Sequence, residues 1–175
     1  MLTPLEGPSE LVHGRCADPR SKKSLRVWLQ LIKCAKRIEQ EMSARFRTSY
    51  ASSMSRFDVL AHLYEAGGKG LSTTQLATRL LASKGNITRL LDRMEEDGLI
   101  QRRPNASDRR ISDIFLSPKG RKLFAGMAPA HEQWSNDVFN VLTDAEKDTL
   151  VELLVRVRTR LKRATDLTGE ATAAN

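Results

Sequence analysis

Along most of the chain, apolar residues recur three and four positions apart, the spacing that lays one stripe along a helix. From Leu25 to Arg47, Trp28, Leu31, Ile32, Ala35, Ile38, Met42 and Phe46 keep such a ridge over about six turns. Arg26, Lys33 and Arg37 lie on its other side. Phe57, Leu60, Ala61 and Tyr64 make a shorter stripe that ends at Gly67-Gly68, with Met54 and Val59 placed as a hydrophobic staple at its start. Ser72 and Gln75 have the form of a capping box before Leu76, Ala77 and Leu80. After Leu81-Ala82, Ser83 can cap a fourth helix, whose Ile87, Leu90, Leu91 and Met94 share one side and which Gly98 should stop as a left-handed cap.

The period then changes. Leu99 to Arg103 and Ile111 to Leu116 are short apolar-bearing runs around the turn-rich Pro104-Asn105-Ala106-Ser107-Asp108, which predicts a β-hairpin. Ser117 caps the next helix and Pro118 takes its first position, where a missing amide costs nothing. That helix runs through Leu123, Phe124 and Met127 to Trp134, Val138 and Val141, and Pro129 should kink or break it. Thr143 to Glu146 repeats the capping-box form ahead of a last stripe of Leu150, Leu153, Leu154, Val157 and Leu161. The fold class expected is mainly α with a small β-wing.

Polar residues are distributed unevenly along the fourth helix. Its first turns carry Lys84, Gly85, Asn86, Thr88 and Arg89, whereas Asp92, Glu95, Glu96 and Asp97 come only later. Donors at the N-terminal end suit a helix that enters a DNA major groove, where Lys, Arg and Asn reach base edges. In the hairpin, Arg102, Arg103, Arg109 and Arg110 stand against Asp108. A cationic tip can reach phosphates or lie in a narrow minor groove.

The run GLIQRRPNASDRRISDIFLSPKG resembles the wing of the MarR family of bacterial winged helix-turn-helix regulators. Asp108 and Arg110 fall on that family's D-x-R signature, and Leu116-Ser117-Pro118-Lys119-Gly120 on its L-[ST]-x-x-G close; a weaker likeness extends from about Leu25 to Leu161. The resemblance implies a winged helix-turn-helix over 55–117, with dimerisation helices over 24–48 and 118–163 forming one domain with it. Residues 1–23, with Pro4, Pro8 and Pro19, are expected to be a flexible arm, and 164–175 a frayed tail. It also implies a homodimer on an inverted-repeat operator with half-sites about 34–36 Å apart. Candidate DNA contacts are Ser72, Thr73, Ser83, Lys84, Asn86, Thr88, Arg89, Arg103, Asp108, Arg109 and Arg110. Arg110, held by Asp108, would enter the minor groove.

The function implied is a ligand-responsive regulator, usually a repressor, released by a small anionic aromatic effector such as an aromatic carboxylate or its coenzyme A thioester. Trp28, Arg37, Phe57, His62, Phe124 and Trp134 are the candidate lining residues, although for each one taken singly ordinary core packing is the better explanation. Two alternatives stay open. The organic-hydroperoxide branch of the family senses through a cysteine, and Cys34 stands between Lys33 and Lys36 while Cys16 belongs to the arm. A DNA-binding dimer without an effector has the same composition.

Charge and composition narrow the field only slightly. The 175 residues carry 29 Lys+Arg against 21 Asp+Glu, a net charge of +8 that suits nucleic acid, an anionic ligand or an acidic surface. From Arg15 to Arg47 there are ten cations and three acids, so much of the excess lies on the first helix rather than in the wing. Two cysteines build neither a disulfide framework nor a zinc site. His13, His62 and His131 are scattered, with no nucleophile elbow, phosphate loop or metal spacing, so no catalytic residue, metal or cofactor is expected. With no membrane-length apolar run and no signal core, a bacterial cytoplasmic, nucleoid-associated protein is the expectation.

Overall fold

Short side-chain caps set most of the helix boundaries. A computed structural model describes residues 19–105, 107 and 111–173, the side chains of Pro19, Ser21 and 162–173 excepted. The elements run α1 (Pro19–Tyr50), α2 (Met54–Glu65), β1 (Leu71–Ser72), α3 (Thr73–Arg79), α4 (Lys84–Glu96), β2 (Ile100–Pro104), β3 (Ser112–Leu116), α5 (Pro118–Phe139) and α6 (Asp144–Ala173). Ser72 and Gln75 form the full reciprocal box before α3, and Ser83 accepts the Asn86 amide at the start of α4. Thr143 and Glu146 do the same before α6.

Several boundaries differ from the sequence reading. The cap of α2 is Ser53, which makes Met54 its first helical residue, so the expected Met54–Val59 staple does not form. Pro129 lies inside α5 without ending it; a proline removes only one backbone donor there, and neighbouring turns carry the helix on. α1 starts at Pro19, inside the expected arm, because proline is at home in a first turn. α6 continues to Ala173, through most of the expected frayed tail. Residues 1–18, including Cys16, lie outside the described residues.

β1 was not anticipated, since two residues are too few to show a period. It pairs antiparallel with β3 (Leu71 opposite Ile114), which also pairs with β2 (Ile100 opposite Leu116), giving the order β1-β3-β2. Gly70 precedes β1 because the Phe115 ring lies across it, where a Cβ would collide.

The chain divides into two compact units, residues up to Met127 and from Ala128 onward. In the first unit Met42 and Phe46 of α1, Val59 and Leu60 of α2, Leu76 of α3, Leu91 and Met94 of α4, and Ile100 and Ile114 of the sheet are all buried. Within the second unit no described residue is fully buried. Leu150, Leu153, Leu154 and Val157 of α6 stand exposed, as do Leu25, Trp28 and Leu31 of α1 in the first unit.

Candidate nucleic-acid interface

The reader is assembled from α3, the following turn and α4. Ile87, Leu91 and Met94 seat α4 on the core, which turns Ser83, Lys84, Gly85, Asn86, Thr88 and Arg89 outward, all exposed. Ser83 spends one lone pair on the helix cap. The Thr88 hydroxyl donates back to the Lys84 carbonyl at 2.9 Å, and Arg89 Nη2 donates to Asn86 Oδ1 at 3.2 Å. The exposed Asn86 thus holds the Arg89 fork through its side-chain oxygen. No carboxylate among the described residues pairs with Lys84 or Arg89. Ser72 and Thr73 are half-buried, and the Ser72 hydroxyl is engaged with the Gln75 amide.

Asp92, Glu95 and Asp97, three of the four acids of the later turns, have structural partners. Arg102 of β2 reaches Asp92 and Glu95, both at 2.6 Å, and Arg56 of α2 pairs with Asp97. Arg102 is therefore not part of an outward cationic face, as the sequence count suggested. It fastens the wing to α4. Arg103, one residue on, is exposed on the other face of the strand, its guanidinium carbon 4.9 Å from the Phe115 ring centroid and an Nη donating to Gln101 at 3.1 Å. At the hairpin's entry Asn105 donates to Asp113 (2.7 Å) and accepts the Ser107 amide (2.8 Å), an Asx turn. Asp108, Arg109 and Arg110 lie outside the described residues.

A second junction fixes the base of the wing. The Ser117 hydroxyl donates to the Gly98 carbonyl at 2.7 Å and accepts the Gly120 amide at 2.9 Å. Lys119 Nζ donates to the Asp97 carbonyl at 2.7 Å. Gly120 leaves its Cβ position to the Leu99 carbonyl oxygen, which any side chain there would strike. Ser117, Lys119 and Gly120 thus splice the end of α4 to the start of α5. Sequence reasoning saw only the helix cap, since the partner carbonyls belong to backbone some twenty residues away in the chain.

Of the candidate effector residues, Phe57 and Phe124 come together. Their ring centroids are 5.6 Å apart, with Phe46 5.0 Å from Phe57 and Tyr64 4.8 Å from Phe124. His62 Nδ1 lies 3.3 Å from Glu65 Oε2. Burial pushes the neighbouring Asp58 carboxyl above the ordinary aspartate range; His62 opposes the rise and Glu39 adds to it. Trp28 (55% exposed) and Arg37 lie at the surface of α1, as does Cys34. Trp134 belongs to the second unit and is half-buried. Among the described residues no cluster has the makings of a metal site, and no helix is long and apolar enough to cross a membrane.

A three-stranded wing behind two short helices, the second presenting an acid-free first turn, defines a winged helix-turn-helix. Residues 53–112 match the MarR family model. The HTH-type transcriptional repressor YetL of Bacillus subtilis is 32% identical over 131 residues, spanning 75% of this chain and 78% of that protein. The chain belongs to the MarR family of DNA-binding transcriptional regulators. Its fold is shared with AbsC, a MarR family regulator of Streptomyces coelicolor (TM-score 0.75, 21% identity, 85% of this chain and 99% of that one). It is shared too with Bordetella bronchiseptica BpsR, solved in connection with regulation of its DNA binding by 6-hydroxynicotinic acid (TM-score 0.69, 23% identity, 75% and 92%).

Proposed function

We propose that this regulator is a ligand-responsive repressor that binds an inverted-repeat operator as a homodimer. The observation that carries the DNA reading is the polarity of α4: every acid lies in its later turns or just after, two of them held by Arg102, while its first turn is exposed and donor-rich. Lys84, Asn86 and Arg89 then contact bases or phosphates in the major groove, with Ser83 and Thr88 beside them, and Ser72 and Thr73 approach the backbone at the start of α3. Arg103 adds a phosphate contact along the wing with Arg109, and Arg110, positioned by Asp108, enters the minor groove.

Dimerisation is supported by the exposed apolar residues of α6 and of α1's first half, which a second copy would bury. A small anionic aromatic molecule, free or as a coenzyme A thioester, is the effector class that suits the Phe46–Phe57–Phe124–Tyr64 cluster; BpsR, named with 6-hydroxynicotinic acid, offers one such carboxylate. Ser52, whose backbone amide donates to the Phe46 carbonyl at 3.2 Å, has a buried hydroxyl with no hydrogen-bond partner among the described residues, a polar group that a carboxylate could satisfy. Such a ligand acts only through a difference in affinity between DNA-competent and incompetent dimers, and the separation of the two readers is the quantity it would shift.

Selection of duplexes from a random pool by the purified chain tests the DNA reading; an inverted repeat should emerge, and recovery of no preferred sequence would refute it. A thermal-shift screen with 6-hydroxynicotinate and other aromatic acids and thioesters tests the effector, since a specific ligand raises the melting temperature by mass action.

A further inference from the structure

Among the described residues four helices end in a residue with positive φ, and the residues chosen are not alike. After α2 it is Gly67 (φ +60°), and after α4 Gly98 (φ +70°). After α1 it is the small Ala51 (φ +47°), but after α3 it is Leu81 (φ +51°). The endings of α3 and α4 are the same motif. Leu81 and Ala82 donate to the Thr78 and Ala77 carbonyls at 3.3 and 3.0 Å. Gly98 and Leu99 donate to the Glu95 and Met94 carbonyls, both at 2.8 Å. The left-handed position of this cap favours glycine, because a Cβ crowds the following carbonyl.

Leucine is therefore strained where glycine serves at the matching position, and its side chain gains nothing from its own core: Leu81 is 95% exposed. Strain together with an apolar side chain held in water indicates a residue kept for something outside the protomer. Its place identifies what. Leu81 stands two residues before Ser83, in the turn that delivers α4's exposed Lys84, Gly85 and Asn86.

We propose that Leu81 is a specificity-determining contact that rests against the apolar edge of the operator, the methyl group of a thymine or the face of a deoxyribose. The contact rests on the DNA-reading role proposed above. It supplies what the surrounding donors cannot, since the thymine methyl is the one apolar feature of the major-groove pattern. Being uncharged, it should add sequence preference without adding to the salt dependence of binding.

The test uses the full chain and a duplex that the wild-type protein has selected from a random pool. Leu81→Gly, which relieves the backbone, should melt at or above the wild-type temperature while binding that duplex roughly 10-fold more weakly, with an unchanged salt slope. Leu81→Asn, which also tolerates the left-handed region, should behave alike. Replacing thymines one at a time by deoxyuridine then locates the contact. A position where wild type loses affinity and Leu81→Gly does not assigns the methyl; no such position, with the variant still weaker, assigns the sugar. Equal affinity of wild type and Leu81→Gly would overturn the proposal, as would a lower melting temperature in Leu81→Gly, which would show the side chain to be structural. If the wild-type chain selects no sequence at all, it is the DNA reading that fails, a result distinct from both.

Discussion

Arg102 of β2 closes on Glu95 of α4 twice: its Nη1 lies 2.6 Å from Glu95 Oε2, and its backbone amide donates to Oε1 at 3.2 Å. With Asp92 on its other nitrogen, also at 2.6 Å, the guanidinium ties the strand of the wing to the later turns of the reading helix. The wing and α4 are thereby held at a set angle to each other. Arg102→Ala should cost roughly 1 kcal/mol of stability, the pair being partly solvent-screened. It should cost more in operator affinity than in folding, because wing and reader would no longer be aligned. Arg103→Ala should do the reverse, leaving the melting temperature alone while flattening the salt dependence of binding by about one unit. Urea denaturation and binding titrations over a salt series on both variants separate the cases; equal affinity in Arg102→Ala would show that the tie has no part in binding.

The splice at the other end of the wing is steric. Gly120→Ala places a methyl group where the Leu99 carbonyl oxygen already sits, and the backbone must move to admit it. A loss of about 3 kcal/mol or failure to fold is expected, well beyond the helix-propensity gain of alanine. Gly98→Ala, strained by its φ of +70° but with room for a Cβ, should lose only about 1–2 kcal/mol. A smaller loss in Gly120→Ala than in Gly98→Ala would contradict the close approach.

Much of this was legible in the sequence, and for physical reasons. Capping residues act on amides three positions away, so Ser72, Ser83, Ser117 and Thr143 could be read locally. The stripe of Ile87, Leu91 and Met94 fixed which side of α4 faces out. What stayed hidden depends on partners distant in sequence. Arg102 and Arg103 are adjacent arginines with opposite fates, because a strand alternates its faces and only one of them meets α4. β1 is too short to announce itself, and the cap at Ser53 removed the expected Met54–Val59 staple. Of the effector candidates, the Phe57–Phe124 pairing could not be foreseen from two stripes nearly seventy residues apart, while Trp28 and Arg37 proved to be surface residues in the single chain.

Asp58 gives a dependence on pH. Burial raises its pKa in the folded state, so the folded chain holds this proton more tightly than the unfolded one. Its contribution is fully present below the unfolded value near 3.8 and is lost as pH rises through the folded value. At neutral pH the charged, half-buried carboxylate is a burden, so Asp58→Asn should raise the melting temperature at pH 7. The gain should shrink as pH falls toward 4. Melting curves of the two proteins across that range check it; a gain that grows on acidification would reverse the sign.

Leu153 and Leu154 stand 49% and 40% exposed on α6. If a second copy covers them, Leu154→Glu should give a monomer by sedimentation and lose operator binding, while the overall helicity measured by circular dichroism stays close to that of wild type. A dimer of undiminished stability would place the interface elsewhere.

The most direct test of paired readers on one duplex is the stoichiometry and spacing of the complex on DNA selected from a random pool, by sedimentation and by footprinting. Two chains should bind each duplex, protecting half-sites about one helical turn apart, with Asn86→Ala losing preference for the selected sequence. One chain per duplex, or equal binding to random competitor, would contradict it.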